Sequence, residues 1–282
     1  MKIITFDIED WYHLLDFKFT ETEFGWLNFE SRIKIGLELI YNLLNETETK
    51  ATFFCLGWIA KRYPLIIKDI VSLGYEIGSH SGMHQLIYEM TPGEFKKDLD
   101  YSIKILQDLT GKRIRYYRAP GFSIRENNKW ALEILAEYGI EIDCSIFPAK
   151  HQHGGTPTIN ISGPMIFSIN GIKIKELPIN YIKLGKLKIM FSGGGYFRLF
   201  PYFLIEKWTK KSEYIMSYFH PRDFDANQPI IEGLNMIRRF KTYIGIKSAY
   251  KKALKWLSEF KFYDIAEADN YINWSAVRVI NL

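Results

Sequence analysis

Cysteine is nearly absent. Cys55 and Cys144 are the only two among 282 residues, and both lie in apolar runs, ATFFCLGW and EIDCSIF. They form no disulfide framework and point to buried thiols of a reducing compartment. Histidine is scarce as well, at six residues. No apolar run approaches the ~18 residues of a membrane span. The opening MKIITFDIED reaches acidic residues before a signal-peptide core could form. Repeats, low-complexity segments and linkers are also missing. These absences predict a cytoplasmic protein with one domain over residues 1–282, of which 1–148 and 149–282 are the first and second halves.

Apolar residues make up 47% and charged residues 24% of the chain, ordinary for a protein with a large core. Aromatics reach 16%, a level that suits either a carbohydrate-facing surface or a rich core. The net charge of +5 is unevenly spread. Residues 1–150 carry 18 Lys+Arg against 22 Asp+Glu, whereas 151–282 carry 19 against 10. The basic second half reads as a solvated face, or as a surface meeting anionic lipid at the inner membrane face or an acidic glycan. No nucleic-acid-binding module accompanies the charge, so nucleic acid is not expected as a partner.

Strand and helix signals alternate through the first half. Strands are expected at Lys2–Ile8, Ala51–Leu56, Tyr75–Ser79, Arg115–Arg118 and Glu141–Ile146. Between them, helices are expected at Ser31–Asn45, from Pro64 to Leu73, from the capping box Thr91-Pro-Gly-Glu94 to Thr110, and at Asn127–Tyr138. This pitch argues for a parallel α/β sheet or barrel. Residues 149–172 read as loop. Tyr214–Phe219 reads as a further strand and Ser248–Phe260 as a basic amphipathic helix.

In such a barrel, functional side chains collect at the C-terminal ends of the strands. The first strand ends in Asp7-Ile-Glu9-Asp10, the third in His80 with His84 following, and the fourth in Arg118-Ala-Pro120-Gly121. The fifth carries Asp143, and YIMSYF ends in His220-Pro221. His80 and His84 alone would be an unremarkable pair. With a carboxylate from another strand end they supply three ligands and leave open positions for water, the design of a catalytic metal site.

The ordered set TFDIEDWYH, ATFFCLG, EIGSHSGMH, RAPGFSI, DCSIFP, SGGGYFRLFPY and FHPRDFD resembles the NodB-type polysaccharide deacetylases, in the branch associated with exopolysaccharide biosynthesis. The resemblance covers nearly the whole chain and implies a distorted parallel (β/α) barrel. It implies Asp7 as catalytic base, His80 and His84 as metal ligands, and Arg118 as the partner that orients the base. Asp143 is implied to orient the acid histidine, His220 to be that general acid, and the Gly121 N–H to be an oxyanion donor. One departure concerns the metal. The usual ligand aspartate follows the base directly, but Ile8 occupies that position here. Strand alternation puts Glu9 on the side of Asp7, so Glu9 is the first candidate for third ligand and Asp10 the second. The implied cofactor is one divalent ion, zinc first, with cobalt, nickel, manganese and iron also suited to His₂-carboxylate sites.

Trp11, Pro120, Phe122, Tyr196 and Arg198 are the candidate substrate-facing residues, Arg198 as partner for a phosphate or carboxylate. His13 reads as a packing or rim residue, and His151 and His153 as loop residues, one reaching the substrate. The expected reaction is removal of an N-acetyl or N-formyl group from an amino sugar, free in a glycan or nucleotide- or lipid-linked. Ring opening of a cyclic imide on the same fold, and glycan binding by a degenerate site, are the competing readings.

Overall fold

The computed structural model describes residues 1–15, 20, 22–149, 153–185 and 187–282. The strands are β1 (Lys2–Ile3), β2 (Thr5–Ile8), β3 (Thr52–Cys55), β4 (Glu76–Ser79), β5 (Tyr116–Tyr117) and β6 (Ile142–Asp143). They continue with β7 (Met165–Ile169), β8 (Ile172–Glu176), β9 (Ile182–Leu184), β10 (Leu187–Ile189), β11 (Ile215–Met216) and β12 (Arg278–Asn281). Among the described residues, eight join one sheet in the order β12-β7-β8-β6-β5-β4-β3-β2. All its pairings are parallel except β7 with β8. Beyond β2 the surface continues through β1 paired with β11 and through single bridges from Phe6 to Phe219 and from Tyr218 to Gly193. The fold is a distorted, mostly parallel (β/α) barrel.

Chain composition explains the layering. β2 and β3 are buried along their whole length, as expected of strands covered on both faces. The helix Pro92–Thr110 buries Phe95, Leu99, Ile103 and Leu106 along one face and lies against β4 and β5, where Ser102 Oγ bonds Ser79 Oγ and the Phe95 ring meets Tyr117 edge-on. It starts at the capping box, where Thr91 Oγ1 accepts from the Glu94 N–H and Glu94 Oε2 accepts from the Thr91 N–H. It stops at Gly111, whose φ of 66° suits glycine. The helix Ile33–Glu46 lies on the other side, and its Gly36 packs directly on the backbone after His220. A Cβ there would sit 2.4 Å from the Pro221 carbonyl oxygen.

Where the backbone ladder thins between β8 and β11, a side chain takes over. Asn180 Oδ1 accepts from Ser192 Oγ at 2.8 Å and from the Met216 N–H at 3.0 Å. The region 149–172 departs from the loop expected of it: Met165–Ile169 is a strand, paired antiparallel with β8 and parallel with β12. Its buried-intermediate alternation was hidden among the glycines and prolines around it.

Candidate active site

β2 delivers two carboxylates to one side of the sheet. Asp7 lies within the strand and Glu9 just past its end, so alternation points both inward. β4 ends at Ser79 and delivers His80, whose Nδ1 bonds the Arg118 carbonyl at 2.8 Å. That bond fixes the tautomer and leaves the Nε2 lone pair facing inward. The chain then turns sharply, with Ser81 at φ 68° and His84 at φ 54°. Such conformations cost about 1 kcal/mol or more for non-glycine residues. Asp98, on the helix behind, holds the turn by accepting from the Gly82 N–H at 2.7 Å and the Met83 N–H at 2.9 Å. The His84 N–H also bonds Ser81 Oγ at 3.0 Å.

Glu9, His80 and His84 thereby converge, their ligand atoms all within 4.8 Å of one another and all three residues buried. A close contact joins Glu9 to His84. Burial alone would raise the Glu9 pKa, but the adjacent His84, His220 and His80 hold it well below the usual range. Burial pushes His80 down to about 4, so it is neutral near pH 7. Asp10 is turned away: it accepts from the Trp11 N–H at 2.9 Å, the Arg32 N–H at 3.2 Å and the Ser31 hydroxyl. Of the two carboxylates weighed as third ligand, Glu9 meets the histidines and Asp10 ties down the loop behind them.

Arg118 is fully buried and reaches across the barrel. Its Nη1 donates to Asp7 Oδ1 and Thr5 Oγ1, each at 2.7 Å, and its guanidinium stacks 4.3 Å above Phe54. On the far wall, His220 Nε2 stands 3.6 Å from Glu9 Oε1 and 3.9 Å from Asp7 Oδ2. Its Nδ1 is 3.0 Å from Asp223 Oδ2, and Asp223 Oδ1 faces Arg198 Nε at 3.0 Å. Burial opposes the charge on His220, but the Asp223 hydrogen bond and the neighbouring carboxylates outweigh it and lift the pKa to about 9. Burial likewise opposes the Asp223 carboxylate, and Arg198 and His220 overcome it, holding the pKa at about 2.

Two expected roles are corrected here. Asp143 does not reach His220. It accepts from Ser145 Oγ at 2.5 Å, and Ser145 Oγ accepts from the Ala119 N–H at 2.8 Å, so Asp143 braces the loop that carries Gly121. The residue that orients His220 is Asp223, three positions on, where the turn Pro221–Asp223 folds its carboxylate back onto both the ring and the backbone N–H of His220. Its signal was present in HPRD, an acidic residue at capping distance. Arg198 does not offer a free guanidinium to substrate: it is buried, faces Asp223, and donates to the carbonyls of Thr242 and Ile244.

The site opens into a cavity of about 510 Å³. Gly121, Phe122 and Tyr196 line it with Asp7, Glu9 and His220. Gly121 has φ 60°, and a Cβ there would meet Leu15 and His153 at 2.7 and 2.8 Å, so only glycine fits the wall. Trp11 and Pro120 are not on the wall. The Trp11 indole is turned inward, donating to the Glu30 carbonyl at 3.0 Å and packing edge-on against Tyr12 and Phe29. Pro120 is buried at the start of the turn Pro120–Phe122. His13 and His153 do line the cavity; His151 lies outside the described residues. His13 is buried, and its Nδ1 accepts from the Asp10 N–H at 2.9 Å, so Nε2 carries the proton and is a donor rather than a ligand.

Residues 20–142 match the family model described as polysaccharide deacetylase, and residues 144–270 match a domain of unknown function (DUF3473). The chain is 35% identical over 95 residues to a peptidoglycan-N-acetylglucosamine deacetylase of Bacillus cereus, covering 33% of this chain and 34% of that protein. It is 28% identical over 113 residues to a peptidoglycan deacetylase of Helicobacter pylori, covering 40% and 38%. The matches thus span little more than a third of these relatives' length. Among solved structures, a putative polysaccharide deacetylase from Mycobacterium smegmatis superposes with a TM-score of 0.67 at 16% identity, covering 99% of this chain and 92% of that one. At that identity the likeness speaks for the fold.

Proposed function

We propose, from the match of residues 20–142 to the polysaccharide deacetylase model, that the chain hydrolyses the N-acetyl group of an amino sugar in a cell-surface or exopolysaccharide glycan, with a divalent ion as cofactor. The observation that carries this reading is the pairing of opposite roles across one small space. An arginine-held carboxylate, Asp7, faces an aspartate-held imidazole, His220, with their reactive atoms 3.9 Å apart beside the Glu9–His80–His84 cluster.

Two imidazoles and a carboxylate, all buried, fit a divalent cation by donor chemistry and by charge. When bound, such an ion supplies polarisation of the amide carbonyl and acidifies a coordinated water. The rest falls to the chain's own side chains. Arg118 occupies Oδ1 of Asp7, so Oδ2 is left to take the proton of the attacking water. As the water oxygen bonds to the carbonyl carbon and the C–N bond breaks, protonated His220 gives its proton from Nε2 to the departing amine nitrogen. Asp223 keeps that imidazole charged and correctly turned. The Gly121 N–H is assigned to the carbonyl oxygen as it gains charge. Each of the acid and the base is worth ~10²–10⁴ in rate.

The test is acetate release from N-acetylglucosamine oligomers by purified protein, with chelator and after return of zinc, cobalt, nickel, manganese or iron. Turnover abolished by chelation and restored by metal is expected. Glycan binding without turnover under any metal would favour a binding module instead, and ring opening of a cyclic imide without acetate release would favour the other amidohydrolase chemistry.

A further inference from the structure

The mouth of the cavity carries an exposed apolar surface on the helix beside it. The helix Met236–Tyr243 buries only Thr242. Met236, Ile237 and Phe240 are 88, 70 and 56% exposed, and their spacing places them on neighbouring positions of one helix face. Ile237 and Phe240 line the cavity mouth together with Tyr196 and Leu199, which are 42 and 44% exposed. Single exposed apolar residues are ordinary, but a cluster around one opening marks an interaction site.

Along the helix and most of the one that follows it, the charge is of one sign. Residues 236–255 contain seven Lys and Arg and no Asp or Glu. Some of these cations are engaged internally, as Lys252 is with the carbonyls of Phe197, Arg198 and Phe200. Arg239 and Lys241, on the helix itself, are exposed beside the apolar residues.

We propose that this face docks on an anionic lipid bilayer, with Met236, Ile237 and Phe240 entering the headgroup boundary and Arg239 and Lys241 meeting the lipid phosphates. The composition is that of an interfacial amphipathic helix, apolar on one face and basic beside it. Two copies of this chain apposed through the face would bring like charges together, which disfavours self-association. A glycan stacks on flat rings, which Phe240 and Tyr196 offer at the inner edge of this face, whereas its two most exposed residues, Met236 and Ile237, offer thioether and aliphatic surface. Docking would hold the cavity mouth against the membrane. The proposal does not depend on the deacetylase reading.

Sedimentation with vesicles tests it, using phosphatidylcholine alone and phosphatidylcholine with about 30% phosphatidylglycerol. Wild-type protein is expected to bind the anionic vesicles and not the neutral ones. The pair Met236→Asp with Ile237→Asp, and separately Arg239→Glu with Lys241→Glu, should each weaken binding by on the order of 10-fold or more, with thermal melts confirming that both fold. Met236→Trp should add fluorescence quenchable by brominated lipid. Absence of binding, or apolar variants that bind like wild type, would overturn the proposal. So would concentration-dependent self-association, without lipid, that the Met236→Asp pair abolishes, because the face would then join two copies. Vesicle binding is read without any sugar substrate, so its failure and a failure of acetate release are separate results.

Discussion

His220 and Asp223 are joined twice: one carboxylate oxygen, Oδ2, stands 3.0 Å from the ring Nδ1 and 2.9 Å from the backbone nitrogen of His220. Three residues of chain thus fix both the rotamer and the charge of the imidazole. Asp223→Asn should leave KM and metal content near wild type while lowering kcat by ~10²-fold or more. Steady-state kinetics beside elemental analysis check this. A variant that lost metal in parallel would show that Asp223 acts on the ligands instead.

Asp223 also predicts a pH dependence of stability. Its folded pKa of about 2 lies below its ordinary 3.8. Such a depressed carboxylate adds stability above the unfolded value, and the contribution disappears as pH falls from 3.8 toward 2. Its size is about 2 kcal/mol. The urea midpoints of wild type and Asp223→Asn, followed from about pH 6 to about pH 3, should therefore converge on the acid side. A constant gap would mean that Asp223 stabilises without titrating.

The two neighbouring carboxylates after β2 should separate in metal analysis. Glu9→Gln and His80→Ala are expected to purify without stoichiometric metal. Asp10→Asn should keep the metal and instead lose about 1–2 kcal/mol of stability, because it weakens the loop hydrogen bonds from Trp11, Ser31 and Arg32. Metal loss in Asp10→Asn alone would reverse the assignment.

Asp98 touches no candidate ligand side chain, yet it holds the turn between His80 and His84 through two backbone N–H groups. Asp98→Ala should lower metal affinity about 10–100-fold, as loss of a supporting partner does elsewhere. Competition with a chromophoric chelator measures it. Unchanged affinity in a folded variant would show that Ser81 and His84 hold their left-handed conformations unaided.

Gly36 offers a test with an inverted sign. Alanine in place of a mid-helix glycine ordinarily stabilises by about 1 kcal/mol. Here the added Cβ would lie 2.4 Å from the Pro221 carbonyl oxygen, and overpacking of that kind costs ~1–3 kcal/mol. Gly36→Ala should therefore lower Tm, and lower kcat as well, because Pro221 follows His220. A raised Tm would show that the helix can retreat without cost.

The barrel and most of the site were legible because periodic apolar runs and strand-end polar residues announce themselves. β2 to β6 fall within the expected segments, and the capping box at Thr91 and Glu94 opens its helix as expected. The hidden parts depend on distance in space. Ser145 is only two residues from Asp143, but that Asp143 would fall short of His220 depends on where the distant chain runs, and so does the drawing of Arg198 to Asp223 and to the carbonyls of 242 and 244. Trp11 sits in a functional motif yet faces inward, since its indole N–H finds the Glu30 carbonyl. Asp98 was concealed for the opposite reason: on an amphipathic helix, a carboxylate at a buried position looks like an interruption until the backbone it serves is seen.

Thr5 bonds Ser217 across 212 residues of chain, and this junction is where β2, with Asp7 and Glu9, meets the segment that brings His220. Asp7, Glu9, His80 and His84 all lie in the first 84 residues and His220 lies past Ser217, so the candidate site is complete only once the two ends of the chain have met. Loss of the Thr5–Ser217 junction is therefore expected to cost activity from a distance, by separating the two carboxylates from the imidazole opposite them.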